Sequence, residues 1–337
     1  MNFAVRIVIF ITFACASSAV SGQWVKQNVD TKASLRGLSV VSQKTIWASG
    51  TGGTVIRTVD GGATWKVMTV PGGEKLDFRD IEAFDENTAY ILSIGNGDSS
   101  RIYKTVDGGA TWKQQFTGSL KETFFDAIAC WDKNNCLAMS DPVGGHYYLI
   151  ATKDGKTWAP IVSNKMAANI DGEAAFAASG TCLIAHGKST AYIVSGGNAA
   201  RVFRSNDRGL TWSVVNSPIV SGSSGSGIFS IAMRDAKNGV IVGGNYEKPA
   251  ENKANLAFTT DGGTTWRSAK GLDGYRSGVA YVDTKTIVAV GSSGSDMSSD
   301  GGKTWKNIDN LNYNSVGAKG KKAVWAVGAA GHVAAMK

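Results

Sequence analysis

Short runs of apolar and β-branched residues recur along the whole chain, separated by clusters of Gly, Asn, Asp and Pro. Between residues 65 and 105 these runs read WKVMTV, DFRDIEAF, TAYILSIG and RIYKT. Such runs are typical of short strands joined by turns. No segment keeps an apolar period of 3.6 residues, so helix is expected to be a minor component. The pattern predicts an all-β chain built from four-stranded antiparallel units.

The second run of this unit occurs seven times, which sets the number of units. The seven copies read TIWASG, TAYILSIG, CLAMSD, TAYIVSGG, GVIVGG, TIVAVGSSG and AVWAVGAAG. A strand-rich repeat of about 40–50 residues is the sequence signature of a propeller. We therefore expect seven units arranged as the blades of one ring.

A turn-like box follows the third run of six units. Its copies read TVDGGATW (twice), TKDGKTW, SNDRGLTW, TTDGGTTW and SSDGGKTW, and the third copy is one residue short. The aspartate and tryptophan of the six boxes are Asp60 and Trp65, Asp107 and Trp112, Asp154 and Trp158, Asp207 and Trp212, Asp261 and Trp266, and Asp300 and Trp305.

The box is interpreted as a structural turn between the third and fourth strands of a blade. Its Asp carboxylate can accept hydrogen bonds from turn N–H groups, and glycine tolerates the positive φ that such a turn needs. The Trp is large enough to fill the wedge between neighbouring blades. The oxygen-rich spacing of a calcium loop is absent, and six equivalent copies do not suit a single active site.

The ends of the chain explain why seven units carry only six boxes. The last unit stops at HVAAMK, after its third strand, while QWVK near the other end resembles the strand that follows each box. We predict that this N-terminal strand completes the last blade, with Trp24 in the place of a box tryptophan. The result is a closed seven-bladed β-propeller without exposed strand edges at the junction.

The boxes match the Asp-box of sialidases, sortilin-type receptors and other propellers. Longer segments, among them LRGLSVV, FRDIEAFDENTAYILSIG, GEAAFAASG, ARVFRSNDRGLTW, SGIFSIA and GYRSGVAY, resemble the photosystem II stability/assembly factor-like propellers. This resemblance covers nearly all of residues 23–337. It implies a BNR-type propeller that binds a protein partner and assists assembly.

Composition adds an expectation about the compartment. Residues 1–22 combine one basic residue, an apolar stretch and a small-residue end, which is typical of a cleaved secretory signal, so 23–337 is predicted to be the single mature domain. The alternative, a lipoprotein acylated at Cys15, is disfavoured because the preceding residues match its recognition box poorly. We expect export to the periplasm or the extracellular space. No apolar run is long enough to span a membrane as a helix.

The distribution of charge narrows the range of partners, and the cysteines raise the question of a disulfide. The net charge of +8 is not gathered into a stripe of Lys and Arg, so no nucleic-acid partner is expected, while acidic or anionic partners remain open. Cys130 and Cys136 end and begin two adjacent strands, so either a hairpin disulfide or buried free thiols is expected. Cys182 has no evident partner in the sequence.

A binding site is expected on the face opposite the boxes, around the axis. The first strands align as LRGL, FRDI, FDAI, IFSI, YRSG and YNSV, with the fourth unit ambiguous. The second positions are Arg36, Arg79, Asp126, Phe229, Arg276 and Asn314, and GEAAFA offers Glu173 for the fourth unit.

Two interpretations of these residues stay open. Convergence of Arg36, Arg79 and Arg276 would form a pocket for an anionic group, a carbohydrate or an acidic protein segment. Alternatively, the arginines pair with Asp80, Asp126 and Glu173 and line a water-filled channel. The loops after the second strands add Asp141 and Tyr246 as candidate ligand-binding residues.

Catalysis is the alternative to binding. A sialidase would also hold a carboxylate with three arginines, but the Arg-Ile-Pro segment of that family is missing. For the Tyr/Glu nucleophile pair of a sialidase, Tyr275 and Glu173 are the first candidates. A glycosidase of another class could use Asp126 and Glu173 as acid and base. The three histidines lie in different units, so no metal or cofactor is expected.

Overall fold

A computed structural model describes residues 22–161 and 165–337. The predicted secretory signal lies outside the described residues, apart from Gly22, and it stays a prediction. The described chain forms a seven-bladed β-propeller of four-stranded antiparallel sheets, which confirms the predicted fold class. The first strands of successive blades contact one another around the axis.

The strands are numbered in chain order, and each blade is given from its first to its fourth strand. Blades one and two consist of β2 (Leu35–Val40), β3 (Ile46–Gly50), β4 (Thr54–Thr58) and β5 (Lys66–Thr69), then β6 (Phe78–Ala83), β7 (Ala89–Ser93), β8 (Arg101–Thr105) and β9 (Lys113–Thr117). Blades three and four consist of β10 (Phe125–Asp132), β11 (Asn135–Val143), β12 (His146–Thr152) and β13 (Ala159–Pro160), then β15 (Leu183–His186), β16 (Thr190–Val194), β18 (Arg201–Ser205) and β19 (Ser213–Asn216).

The remaining blades follow the same plan. Blades five and six consist of β20 (Ser226–Met233), β21 (Gly239–Asn245), β22 (Leu256–Thr259) and β23 (Arg267–Ala269), then β24 (Gly278–Tyr281), β25 (Ile287–Gly291), β26 (Gly294–Ser298) and β27 (Lys306–Asp309). Blade seven consists of β28 (Ser315–Ala318), β29 (Val324–Val327), β30 (Val333–Met336) and β1 (Trp24–Lys26). Two short strands, β14 (Glu173–Ala174) and β17 (Gly196–Gly197), extend the sheet of blade five. Two 3-10 turns cover Gly97–Ser99 and Ala329–Gly331.

The ring closes through the N-terminal strand, as predicted. β1 pairs antiparallel with β30, and Trp24 stands opposite Met336. The Trp24 indole packs against the core of blades six and seven, and its Nε1 donates a hydrogen bond of 2.9 Å to Ser295 Oγ. Strand edges that would otherwise face solvent are thereby paired within one chain.

Each box is a tight turn whose carboxylate is used by the turn itself. In the first copy, Asp60 accepts hydrogen bonds from the Thr58 hydroxyl (2.7 Å) and from the backbone N–H and hydroxyl of Thr64 (2.9 and 2.6 Å). The bonds from Thr64 and then from Thr58 lower the pKa of Asp60 to about 2. The Thr58 hydroxyl also accepts the N–H of Gly62, which has a φ of 90°. The shorter third copy keeps the same arrangement around Asp154.

The box tryptophans pack across the boundaries between blades. Trp65 contacts Trp325 of blade seven with ring centroids 5.6 Å apart, and Trp158 contacts Tyr90 of blade two at 5.8 Å. Both contacts have edge-to-face geometry, which is favourable for aromatic pairs. The sequence repeat therefore builds the interfaces that hold the ring together.

Candidate functional site

A cavity of about 510 Å³ lies at the axis, and we call it the axial cavity. It is bounded by the beginnings of the first strands and by loops that join second to third strands, so it lies on the face opposite the boxes. Its lining includes Arg36, Arg79, Asp126, Phe176, Phe229, Tyr246, Tyr275, Ser277 and Asn314.

β-Bulges at the start of the first strands direct side chains into the axial cavity. The pairing of β2 with β3 skips Arg36, and the pairing of β6 with β7 skips Arg79. The same irregularity occurs at Asp126 in β10 and at Phe229 in β20. A bulge leaves one residue without a cross-strand partner and turns its side chain away from the sheet. These four positions coincide with those aligned from the sequence.

Blade six departs from the aligned register by one residue. Gly278 pairs with Val290, just as Gly37 pairs with Ser49 in blade one, so Ser277 takes the position of Arg36. Arg276 therefore takes the buried position of Leu35, and it is fully buried.

The predicted convergence of three arginines is consequently wrong. Arg276 forms a buried ion pair of 2.7 Å with Asp296 in β26, and it also donates to Ser293 Oγ and the carbonyl of Tyr275. Its five donors are thus engaged by blade six and its loops. Arg36 and Arg79 are the two arginines that reach the axial cavity.

The expected placement of Glu173 at the first strand of blade four is also wrong. That strand is β15, while Glu173 lies in β14, which pairs with β17. Glu173 is buried and forms an ion pair with Arg201, and it accepts a hydrogen bond from Ser195 Oγ. Glu173 does not line the axial cavity.

Residues 175–181 form the floor of the axial cavity. The carbonyls of Ala178 and Ala177 accept hydrogen bonds from Arg36 Nη1 (3.2 Å) and Arg79 Nη1 (3.3 Å). Ser179 Oγ donates to the carbonyl of Ser277 in blade six at 2.8 Å, and Ser315 of blade seven donates to the carbonyl of Ser179. The floor segment thus spans the axis between blades on opposite sides. The floor segment closes the axial cavity at the axis, so the cavity is open on one face only.

Asp80 lies beneath this floor and not in the axial cavity. Its carboxylate accepts the backbone N–H groups of Ile81 and Ile128, both at 2.8 Å. Gly180 has a φ of 77°, and a Cβ on it would collide with the Asp80 carboxylate. Burial raises the pKa of Asp80 to about 7 although both N–H groups favour the charged form. Asp80 therefore supports the floor and does not pair with an arginine.

The two arginines of the axial cavity differ in their partners. Arg79 pairs with Asp77 through an Nε–Oδ2 distance of 2.8 Å. Arg36 has no carboxylate partner among the described residues. Burial and the neighbouring positive charge of Arg79 lower the pKa of Arg36, although a guanidinium remains charged at any physiological pH. The alternative in which Asp80, Asp126 and Glu173 neutralise the arginines is therefore wrong.

Asp126 and Asp141 form a buried carboxyl pair at the edge of the cavity. Burial, and next the adjacent negative charge of Asp141, raise the pKa of Asp126 well above its usual value. Burial raises the pKa of Asp141 to about 6, and its Oδ1 accepts the N–H of Ala175 in the floor. The raised pKa values favour the protonated form of these carboxyls, so the pair carries less negative charge than two free carboxylates. The positive potential of Arg36 and Arg79 is only partly offset.

Aromatic side chains form a wall of the axial cavity beside the arginines. The Phe176 ring from the floor stacks on Phe229 with centroids 3.9 Å apart, and Tyr275 meets Phe229 edge-on at 4.7 Å. Tyr246 contacts both phenylalanines edge-on and is 47% exposed. The cavity thus joins a cationic side to an aromatic side.

The residues considered for catalysis do not assemble. Asp126 faces the axial cavity, while Glu173 is buried elsewhere and neutralised by Arg201. Burial raises the pKa of the Tyr275 hydroxyl, which disfavours a phenolate nucleophile. Within residues 22–161 and 165–337, no three His, Cys, Asp or Glu side chains are grouped as metal ligands.

A larger cavity of about 760 Å³ lies between blades three and four, next to the third and fourth boxes. Trp131, Pro160 and Arg208 line it together with the box aspartates Asp154 and Asp207. Those carboxylates are already bonded to Thr157 and Thr211 of their own turns. Both box carboxylates are therefore committed to their own turns and are not free to bind a ligand.

Cys130 and Cys136 form a disulfide across the β10–β11 hairpin. This is one of the two arrangements expected from the sequence. Cys182 is a buried free thiol. In the described part of the chain, no helix is long and apolar enough to cross a membrane.

Sequence alignment missed the floor segment, Asp77 and Ser277. The floor lies in GEAAFAASG, a stretch that resembles no repeat unit, and its irregular length was the available signal. The shift at blade six had a weaker signal, namely that Tyr-Arg-Ser-Gly fits the other first strands in either of two registers.

Ring, boxes and axial cavity together define a seven-bladed BNR-type propeller with a cationic and aromatic axial site. Residues 16–173 match the model of the family described as Photosynthesis system II assembly factor YCF48. This match, which covers somewhat less than half of the chain, confirms the resemblance inferred from the sequence. No curated protein sequence is matched.

Solved structures agree with this resemblance at the level of the fold. The structure described as "YCF48 bound to D1 peptide" has a TM-score of 0.68 and 16% identity, and the match covers 94% of this chain and 98% of that one. YCF48 from Cyanidioschyzon merolae gives 0.65 and 17%, with 93% and 98% covered. The GH74 enzyme of Niastella koreensis gives 0.62 and 15%, with 92% of this chain and 53% of that one covered. At these identities the likeness shows the fold alone.

Proposed function

We propose that this chain is an exported, non-catalytic binding module that holds a carboxylate-bearing segment of a partner protein in the axial cavity. The observation that carries the proposal is the pair Arg36 and Arg79, of which Arg36 has no carboxylate partner among the described residues. Arginine is suited to grip a carboxylate through two parallel hydrogen bonds.

The form of the cavity supports a protein segment as the ligand. The floor closes the cavity at the axis, so a chain can enter and leave on one face only. The aromatic wall beside the arginines offers apolar contacts to residues that flank the carboxylate. A relative's structure is described as bound to a D1 peptide, which is consistent with a peptide ligand at a propeller of this type.

Export rests on the signal-like residues 1–22 and on the Cys130–Cys136 disulfide, because structural disulfides persist in oxidising compartments. Fractionation of expressing cells, followed by N-terminal sequencing, tests it. We expect processed protein in the periplasm or medium. Intact Met1 on protein retained in the cytoplasm would contradict export.

Binding is tested with a display library of random twelve-residue peptides selected on the wild-type protein. We expect selected peptides to be rich in Asp, Glu or free terminal carboxylates. A fluorescent selected peptide should bind at least tenfold more weakly to Arg36→Ala and to Arg79→Ala, since each removes charge-assisted hydrogen bonds.

The matched control is Arg267→Ala, which removes the same charge from the exposed fourth strand of blade five. It should leave the affinity unchanged. Equal affinity of wild type and the Arg36→Ala, Arg79→Ala double variant would exclude the axial cavity as the site. Release of fluorophore from a panel of aryl glycosides, including a sialoside, would instead establish the glycosidase alternative.

A further inference from the structure

A second depression lies beside the axial cavity on the same face, and we call it the outer pocket. It has a volume of about 370 Å³ and is lined by Trp24, Lys26, Leu311, Tyr313, Ala329, Ala330 and His332. These residues come from the linker that enters blade seven, the loop between β29 and β30, and the closing strand β1. The outer pocket is therefore built at the junction where the ring closes.

The outer pocket has aromatic walls. Tyr313 lies between Trp24 and His332, with ring centroids at 5.4 Å and 4.9 Å, and the His332 ring stacks on it at an interplanar angle of 28°. The indole of Trp24 is held by Ser295 Oγ, so the ring is fixed. Leu311 stands at the rim with 48% of its surface exposed. Burial, and next the charge of Lys26, lower the pKa of His332, which favours a neutral ring and an apolar pocket.

The outer pocket adjoins the axial cavity. Along the linker into blade seven, Asn312 and Asn314 line the axial cavity, while Leu311 and Tyr313 line the outer pocket. Ala329 lines both cavities. Where this residue separates them, its side chain is only a methyl group. Successive side chains of an extended peptide point in opposite directions. One side chain of such a peptide can therefore enter the axial cavity while a neighbouring one enters the outer pocket.

We propose that the outer pocket is a second subsite for the same peptide and takes one aromatic or large aliphatic side chain near its carboxylate anchor. This inference rests on the proposed function. The partner segment would thus pair an acidic group at Arg36 and Arg79 with an apolar residue a few positions away. Such a pairing specifies a sequence motif, whereas two arginines alone would accept any carboxylate.

The test uses a peptide selected on the wild-type protein and a variant of it in which its large apolar residue near the anchor is replaced by Ala. Leu311→Ser and His332→Ala should each weaken binding of the original peptide about five- to tenfold, because each removes apolar contact area. Neither should further weaken the Ala-substituted peptide. Val106→Ser is the matched control, since Val106 is exposed on the opposite face in the second box.

The outcomes separate the two proposals. If Arg36→Ala abolishes binding while Leu311→Ser and His332→Ala change neither peptide, the outer pocket is not a subsite and the axial site stands. If the selected peptides contain no large apolar residue near the acidic group, the inference is overturned as well. If Arg36→Ala and Arg79→Ala bind normally, the proposed function itself fails. Circular dichroism and thermal unfolding of each variant confirm that the ring is intact.

Discussion

The two faces of the ring use the same residue types in opposite ways. On the box face, Asp60 is exposed and its pKa falls to about 2, because three donors of its own turn bind it. Near the axis, Asp80 and Asp126 are buried and their pKa values rise. A carboxylate that its own turn satisfies serves the blade, whereas Arg36, which has no carboxylate partner among the described residues, is available to a ligand. Repetition marks the first kind, and differences between the blades mark the second.

The arginines give the strongest test of this comparison, since Arg276 was expected to behave like Arg36. Asp296→Ala should lower the free energy of unfolding by about 3–5 kcal/mol, because it leaves the fully buried Arg276 without its counter-ion. Denaturant titration measures the change. Asp77→Ala, which frees the partly exposed Arg79, should cost less than about 1 kcal/mol. Similar losses in both variants would remove the distinction between a structural arginine and a site arginine.

The pH dependence of stability should separate the two kinds of carboxyl group. Between about pH 4 and pH 7 the unfolded chain ionises at Asp80 while the folded chain keeps the proton, so Asp80 makes the free energy of unfolding fall as the pH rises. The box aspartates act in the opposite sense, since their contribution is complete above about pH 4 and is lost toward pH 2. Asp80→Asn should flatten the fall above pH 4. An unchanged slope, measured by urea titration at each pH, would count against the raised pKa.

A single box should contribute to stability and not to binding. Thr58→Val removes a buried hydroxyl that accepts the N–H of Gly62 and donates to Asp60, so we expect a loss of about 1–2 kcal/mol in unfolding free energy. Thr69→Val, on the exposed fourth strand of the same blade, is the control and should be neutral within about 0.5 kcal/mol. The affinity for a selected peptide should stay at the wild-type value in both variants. A selective loss of affinity in Thr58→Val would assign the boxes a direct role.

The smallest expected effect is that of the site arginines on stability. Arg36→Ala should change the unfolding free energy by no more than about 0.5 kcal/mol, because within the described residues its guanidinium donates one hydrogen bond, to the carbonyl of Ala178. Removal of one of two adjacent positive charges also relieves repulsion. A loss comparable to that of Asp296→Ala, seen in the same titration, would show that Arg36 holds the floor in place.

The fold was predictable because its signals repeat. Six boxes and seven copies of the second strand determine the number of blades, and the match between QWVK and the box strand indicates how Trp24 closes the ring. Bulge positions in the first three blades and in blade five were also aligned correctly from the strand sequences.

The rest of the site depended on features that do not repeat. Tyr-Arg-Ser-Gly can be aligned in two registers, and only the pairing of Gly278 with Val290 decides between them. The floor at residues 175–181 has no counterpart in other blades, so alignment gave no reason to place it across the axis. The position of Glu173 failed for the same reason, since β14 belongs to an excursion and not to a blade repeat.

Closure by β1 also has a consequence for how the ring forms and opens. Trp24 and Met336 pair although they are separated by almost the entire chain, so this contact cannot form until the last blade has been synthesised. Only three residue pairs join β1 to β30, so the contact that closes the ring is short. Local opening should therefore begin there, and amide hydrogens of β1 should exchange faster than those of the second strands.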